Sequence, residues 1–191
     1  MGSSRQLPAM AIDPDPSKLE TTLTLRDGRR VRVRSIRPAD ASMDRAFFAG
    51  LSEHSRYMRF MQHLTELTPR LVKQFTQIDP TREMALVALD DASGEEMIVA
   101  IARYVAATDH QCESGEFAIV IADDWQGHGL GRALMELLID GARRHGLRQL
   151  IGGILAVNTQ MCALATALGF VVHPDPDDAR HVIATLELRA T

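Results

Sequence analysis

The chain has 191 residues, 46% hydrophobic and 24% charged, with a formal net charge of −4. That is enough for one soluble domain with a sizeable core, and the slight acidic excess argues against a dedicated nucleic-acid binder. Two cysteines without CxxC spacing, Cys112 and Cys162, argue against a disulfide framework or a zinc site and fit a reducing, cytoplasmic compartment; no stretch approaches the roughly 20 apolar residues that span a bilayer.

Residues 1–20 are Pro-rich and aperiodic, which predicts a flexible N-terminal tail followed by a single domain over 21–191. A hairpin comes next: Leu23 and Leu25 alternate with threonines, Asp27-Gly28 supplies the turn, and Val31 and Val33 alternate with arginines until Pro38 ends the strand. Six arginines fall between Arg26 and Arg37. They read as the solvated face of the hairpin or as a docking patch for an acidic partner.

Met43, Ala46, Phe47 and Gly50 have helical spacing over 39–51, and 52–61 reads as a second short helix. Thr68-Pro69 places a hydroxyl at N-cap and proline at N1 of a third helix, which Asp79-Pro80 closes. Strands are predicted over 84–89 and 97–105, around a turn at 90–95, and again over 116–122. Residues 132–145 form the strongest helix, with Leu134, Leu137, Leu138, Gly141 and Ala142 on one face and Gly146 as its stop. A strand over 150–157, a helix over 158–168, and strands over 170–173 and 181–188 complete the chain. This order predicts one α/β domain with a mixed, mostly antiparallel central sheet flanked by helices.

The most informative stretch is Gln126-Gly127-His128-Gly129-Leu130-Gly131, between the apolar strand and the amphipathic helix. Free N–H groups at a helix start and the helix dipole favour an anion there, and glycines let backbone approach it closely. A nucleotide-triphosphate loop needs GxxxxGK[ST], and the chain has no Gly-Lys pair. The dinucleotide fingerprint GxGxxG fails as well, because the sixth positions counted from Gly127 and Gly129 are Arg132 and Leu134.

Gln126-x-x-Gly129-x-Gly131 matches the Q/R-x-x-G-x-G/A signature, and here the chain resembles the GNAT superfamily of acyl-CoA-dependent N-acyltransferases. Asn158 before an apolar helix that ends in Leu168-Gly169-Phe170, and Ser35-Ile36-Arg37-Pro38-Ala39-Asp40, resemble further segments of that superfamily. Arg56-Tyr57-Met58-Arg59-Phe60, the run from Arg82 to Ala88, and Glu116-Phe117-Ala118 resemble a narrower group, the catalytic domain of bacterial protein lysine acetyltransferases. The resemblance implies the GNAT fold, acetyl-CoA as co-substrate without a metal, and a primary-amine acceptor, in that subgroup a protein lysine. It further implies that N–H groups of Gly127, His128, Gly129, Leu130 and Gly131, following Gln126, hold the CoA pyrophosphate, with Arg132 adding charge. The backbone of Ile119, Val120 and Ile121 would line the pantetheine arm, and Asn158, a good N-cap in its own right, would also touch the cofactor.

Acyl transfer to an amine needs a base, because a lysine amine with an ordinary pKa of about 10.4 is mostly protonated at neutral pH. Glu116 occupies the place of the family's catalytic base, and a half-buried setting there would raise its pKa; Glu113 is the second candidate. Many members carry a tyrosine acid at the position held here by Ala165, and the only tyrosines, Tyr57 and Tyr104, lie far away in sequence. Either the thiolate leaves without that acid or another group or water serves, and with a thiol pKa near the cysteine value of about 8.5 the missing acid need not abolish activity. Cys162 sits in an apolar helix without a neighbouring base, which argues against a covalent acyl-enzyme. Two rival readings stand: a small-molecule amine acceptor, and a non-catalytic CoA-sensing domain that kept the loop and lost the chemistry. No nucleic-acid or membrane partner is expected, and a homodimer is left open.

Overall fold

The computed structural model describes residues 19–92, 94–107 and 114–188. The predicted tail lies outside them except for Leu19, which is buried, and Glu20, which opens the first strand. Glu113 and Cys112 also lie outside the described residues. In chain order the elements are β1 (Glu20–Thr24), β2 (Arg30–Ser35), α1 (Ala41–Gly50), α2 (Glu53–Phe60), α3 (Pro69–Thr76), β3 (Glu83–Asp90), β4 (Met97–Ala106) and β5 (Ser114–Ile121). There follow α4 (Leu130–Arg144), β6 (Gln149–Leu155), α5 (Thr159–Ala167), β7 (Val171–Pro174) and β8 (His181–Glu187).

The strands form one sheet in the order β1-β2-β3-β4-β5-β6-β8-β7. Every neighbouring pair is antiparallel except β5 and β6, as the mixed, mostly antiparallel expectation requires. Central β3 explains its own apolar run: Met84, Leu86 and Ala88 are buried under α4 on one face, while Ala85, Val87 and Leu89 are buried against Ile36, Phe47 and Leu51 of the α1 side. On α4, Leu134, Met135, Leu138, Ile139 and Ala142 turn into the core, each large side chain contributing roughly 1.5–3 kcal/mol by burial. Leu137, predicted to share that face, is only half-buried.

Boundaries differ where the chain enters an element. Residues 38–40 form a 3-10 turn, so α1 starts at Ala41 rather than 39. Strand β5 starts at Ser114, upstream of Glu116, and α4 starts at Leu130, inside the glycine motif.

Three of the six arginines of the run, Arg29, Arg32 and Arg34, have carboxylate partners, while Arg26, Arg30 and Arg37 are exposed. Arg34 is not on a solvated face. It is 3% exposed and grips Asp40, 2% exposed, through two bonds of 2.7 and 2.8 Å. Asp40 also accepts from the Arg37 N–H at 2.8 Å, which fixes the β2-to-α1 junction. Burial alone would raise the Asp40 pKa, but these bonds and the charge of Arg34 hold it below the ordinary value. Arg32 pairs with Glu20 and Glu96, and Arg29 pairs with Asp27.

Removing one partner of a buried ion pair leaves the other charge uncompensated, so Asp40→Ala is expected to lose about 3–5 kcal/mol of stability. Urea unfolding measures this, and the apolar double variant Arg34→Met/Asp40→Leu is expected to recover most of the loss.

Candidate active site

The site exists because β5 and β6 part company. Residues 114–116 of β5 pair with 149–151 of β6; beyond them β5 keeps only β4 and β6 only β8. Glu116, opposite Ile151, is the last paired residue and so sits at the apex of the split. Gly152 supports the divergence, since a Cβ there would meet the Phe117 ring at 2.5 Å.

The alternating ladder decides which backbone groups face the gap. The Ala122 N–H donates to the Val99 carbonyl and the Ala107 N–H to the Ser114 carbonyl, both at 2.9 Å. With the β4–β5 register unbroken, the even-numbered residues aim their backbone groups at β4, while Phe117, Ile119 and Ile121 aim theirs at the gap. Val120, predicted as part of a backbone ladder for a ligand, therefore spends its backbone on β4. Its side chain lines the site instead.

The gap opens into a cleft of about 490 Å³. Its floor is β5 from Glu116 to Ile121, one wall is the glycine loop with Gln126, Gly127, Gly129, Gly131 and Arg132, and the other is β6 and α5 with Gly153, Ile154 and Asn158. Most of the predicted residues thus meet in one place. His128 and Leu130 do not line it. Leu130 is fully buried in the core, and the His128 ring turns away to Asp27 at 3.0 Å. Only their backbones remain available.

Gly127 and Gly129 have φ of +78° and +94°, the region that disfavours side chains. Gly131 is needed for packing: a Cβ would meet Ile121 at 3.0 Å and Leu164 at 3.3 Å. With α4 beginning at Leu130 and only the Ala133 N–H turning back to Gly129, the N–H groups of residues 127–132 find no protein acceptor among the described residues. An anion at a helix N-terminus supplies those acceptors, so the residues present fit a phosphate. Arg132 lines this wall, but its guanidinium also binds Glu136 at 3.2 Å and the Ala167 carbonyl at 3.3 Å.

Two anchors hold the wall in place. Gln126 donates to the Ile121 carbonyl at 3.0 Å and to Ser55 Oγ at 3.2 Å. Asp123 accepts from the Ser52 N–H, Ser52 Oγ and Ser55 Oγ at 3.0, 2.7 and 2.8 Å, which ties the start of α2 to the end of β5. Burial raises the Asp123 pKa, and these bonds more than offset it, leaving the group below its ordinary value. Sequence reasoning missed this anchor, because Asp123 and the two serines are distant in sequence. Asn158 is an N-cap as predicted, accepting from the Met161 N–H at 3.0 Å.

Glu116 shares the α2-facing side of β5 with Ala118 and Val120 and lines the cleft. It is exposed, not half-buried as expected. Arg59 and Phe60 of α2 face the same space and border a second, smaller void of about 30 Å³ with Asp44, Arg103 and Phe47. Burial pushes the Arg59 pKa down to about 10; Arg103 pushes the same way, and Glu116 and Asp44 oppose it. Arg59 thus stays a cation beside Glu116 at neutral pH. Arg26, His54 and Met58 also line the cleft and were not predicted.

Asp44 is 2% exposed, and its Oδ2 has no partner. Burial raises its pKa to about 6, although Arg103 opposes this. Between the ordinary value of 3.8 and about 6, the folded chain holds a proton that the unfolded chain has released. Stability therefore falls as pH rises through that window and stays lower above it. Asp44→Asn is expected to raise stability at pH 7 by about 2 kcal/mol and to change it little at pH 4, read from unfolding midpoints at both pH values.

No phenol reaches the cleft among the described residues. Tyr104 is fully buried and hydrogen-bonded to His145, Tyr57 stacks on His63 at 5.0 Å, and Ala165 is fully buried in the core. Burial raises the Cys162 pKa, and Cys162 does not line the cleft. No group of three or more His, Cys, Asp or Glu among the described residues is placed to hold a metal, and no helix among them is long and apolar enough to cross a membrane.

Comparison with known proteins places this geometry. Residues 49–170 match the model of the acetyltransferase (GNAT) family. An acetyltransferase of Pseudomonas aeruginosa is 44% identical over 167 residues, covering 86% of this chain and 88% of the relative. The crystal structure of the GNAT domain of S. lividans PAT superposes with a TM-score of 0.82 at 26% identity, over 88% of this chain and 97% of that one. A Salmonella typhimurium acetyltransferase, solved with its cofactor acetyl-CoA, shares the fold with a TM-score of 0.68 at 20% identity, over 84% and 95% of the two chains.

Proposed function

This chain belongs to the GNAT acetyltransferase family, and from that premise we propose that it moves acetyl from acetyl-CoA to a primary amine by direct attack, with Glu116 as general base. The observation that carries the proposal is one continuous cleft from the acceptor-free N–H groups of residues 127–132 to Glu116 at the apex of the β5–β6 split.

The residues divide the work along that cleft. The N–H groups at the start of α4 hold the pyrophosphate, and the helix dipole favours its charge. The gap-facing backbone of Ile119 supplies a donor and an acceptor to the pantetheine arm. The N–H of Ile121 adds a donor, its carbonyl being already taken by Gln126. Asn158 meets the arm from the opposite wall. Val120 and Gln126 shape the site through the β4 pairing and the Ser55 anchor, and the side chains of His128 and Leu130 do so through the Asp27 contact and core packing while their N–H groups stay free for the phosphate.

At the apex, Glu116 Oε takes a proton from the attacking ammonium, directly or through water, so that the free amine attacks the thioester carbonyl. Exposure of Glu116 suits this role, because the acceptor must reach it from solvent. The adduct's nitrogen releases its second proton to water as collapse of the tetrahedral adduct expels the CoA thiolate. No tyrosine lies in the cleft, so the thiolate takes its proton from water, which its pKa near the cysteine value of about 8.5 permits.

A protein lysine is the acceptor that the segments Arg56–Phe60, Arg82–Ala88 and Glu116–Ala118 support, together with the likeness to the GNAT domain of S. lividans PAT. Of the hairpin arginines, Arg29, Arg32 and Arg34 are already paired, so only the exposed remainder favours docking of an acidic protein. A cytoplasmic location accompanies this reading, and a homodimer is not needed to complete the cleft.

Acetyl-CoA turnover measured in parallel on a proteome lysate and on an amine library tests the proposal. Acetyl incorporated into lysine side chains of lysate proteins, above that on free amines, is the expected result. Transfer confined to small amines would overturn the acceptor. Binding of acetyl-CoA without transfer to either panel would favour the sensing reading.

A further inference from the structure

The hairpin between β1 and β2 reaches across the fold to the glycine loop. Its tip is a tight turn, with the Leu25 N–H donating to the Arg29 carbonyl at 2.8 Å and the Gly28 N–H to the Leu25 carbonyl at 3.1 Å. Four contacts fasten that tip to residues 124–128. The Arg26 N–H donates to the His128 carbonyl at 3.3 Å, and His128 Nδ1 lies 3.0 Å from Asp27 Oδ2. Arg29 donates to the Asp124 carbonyl at 3.2 Å, and its guanidinium stacks 4.0 Å from the Trp125 ring centre.

One side chain of the tip is left over. Arg26 lines the cleft, and its Nε lies 3.5 Å from where a Cβ on Gly129 would stand. Its neighbours Arg29, Arg32 and Arg34 have carboxylate partners. Arg26 has none among the described residues, although Asp27 is adjacent in sequence and already bonded to Arg29 and His128. A guanidinium held by its own backbone beside an acceptor-free run of N–H groups has the chemistry of a phosphate clamp.

Resting on the acetyl-CoA reading above, we propose that Arg26 is a further cofactor-binding residue, carried in from the N-terminal hairpin to contact a phosphate of CoA. The tip lies outside the family-matched region, 49–170. It also gives His128 a purpose: its ring holds Asp27, and its carbonyl holds Arg26, over the loop.

Calorimetric titration of acetyl-CoA into wild type, Arg26→Gln and Arg30→Gln tests the proposal. Arg30 is an exposed arginine of the same hairpin that does not line the cleft, so its variant carries the same change in net charge. Arg26→Gln is expected to bind roughly five- to tenfold more weakly at low ionic strength, with the gap closing at high salt. Arg30→Gln is expected to stay within about twofold of wild type. Repeating the titration with acetyl-3′-dephospho-CoA identifies the phosphate: the gap persists if Arg26 meets the pyrophosphate and closes if it meets the 3′-phosphate, and either result supports the clamp. Equal loss in both variants, or Arg26→Gln within about twofold of wild type, overturns it while leaving the acetyl-CoA reading intact. Wild type that does not bind acetyl-CoA overturns both.

Discussion

Glu116→Gln is expected to bind acetyl-CoA as wild type does and to transfer acetyl roughly 10²- to 10⁴-fold more slowly, the usual worth of a positioned general base. The amide keeps the shape of the side chain and loses the ability to take a proton. Glu116 is exposed at the apex of the split and pairs its backbone with β4, so the substitution should leave the fold and the cofactor wall intact. The residual rate should climb with pH toward the lysine value of about 10.4, because solvent then supplies the deprotonated amine that Glu116 no longer produces. A variant with wild-type kcat would remove Glu116 from the reaction. Weakened acetyl-CoA binding would instead mean that it serves the cofactor.

Gly129→Val is expected to weaken acetyl-CoA binding by roughly 10²-fold, through two effects that act together. Gly129 has a φ of +94°, which a β-branched residue resists at a cost of about 1–3 kcal/mol. Relief of that strain would rotate the N–H groups at the start of α4 away from their common target. The new side chain would also stand where the Arg26 Nε lies within 3.5 Å of the Cβ position. Gly94→Val is the matched control, since its φ is +88° and nothing lies within 4 Å of its Cβ position. It should incur similar backbone strain and leave the affinity unchanged. If both variants lose affinity alike, the effect is general destabilisation and says nothing about the loop.

Local pattern carried much of this architecture. Helical spacing located α1 and α4, Thr68-Pro69 marked the start of α3, and alternation with Asp27-Gly28 marked the first hairpin. The glycine loop and Glu116 were legible because they are contiguous in sequence and because the resemblance to a known family ties them together. What stayed hidden depends on residues far apart in the chain. The β5–β6 split follows from pairing that stops at Glu116 and Ile151, and only that register shows that Val120 turns its backbone to β4. Glu116 is exposed, against the expectation of a half-buried base.

Charge was the least legible property. An arginine on an alternating strand reads as solvated, yet Arg34 is buried because Asp40, past the end of the strand, folds back to meet it. Nothing in the local sequence marks Asp123, yet it accepts from Ser52, the N-cap of α2, some seventy positions earlier in the chain. Arg26 looked like one more member of a basic run until the hairpin tip was found against the glycine loop.

The central claim is that the acceptor-free N–H groups of residues 127–132 receive the pyrophosphate of acetyl-CoA in the cleft that ends at Glu116. Backbone amide NMR during an acetyl-CoA titration tests it most directly. The account predicts that the amides of residues 127–132, with those of Ile119 and Ile121, shift together and saturate with the binding isotherm, while the amide of Val120, already bonded to β4, moves less. Saturation of binding with the amides of residues 127–132 unmoved would contradict it.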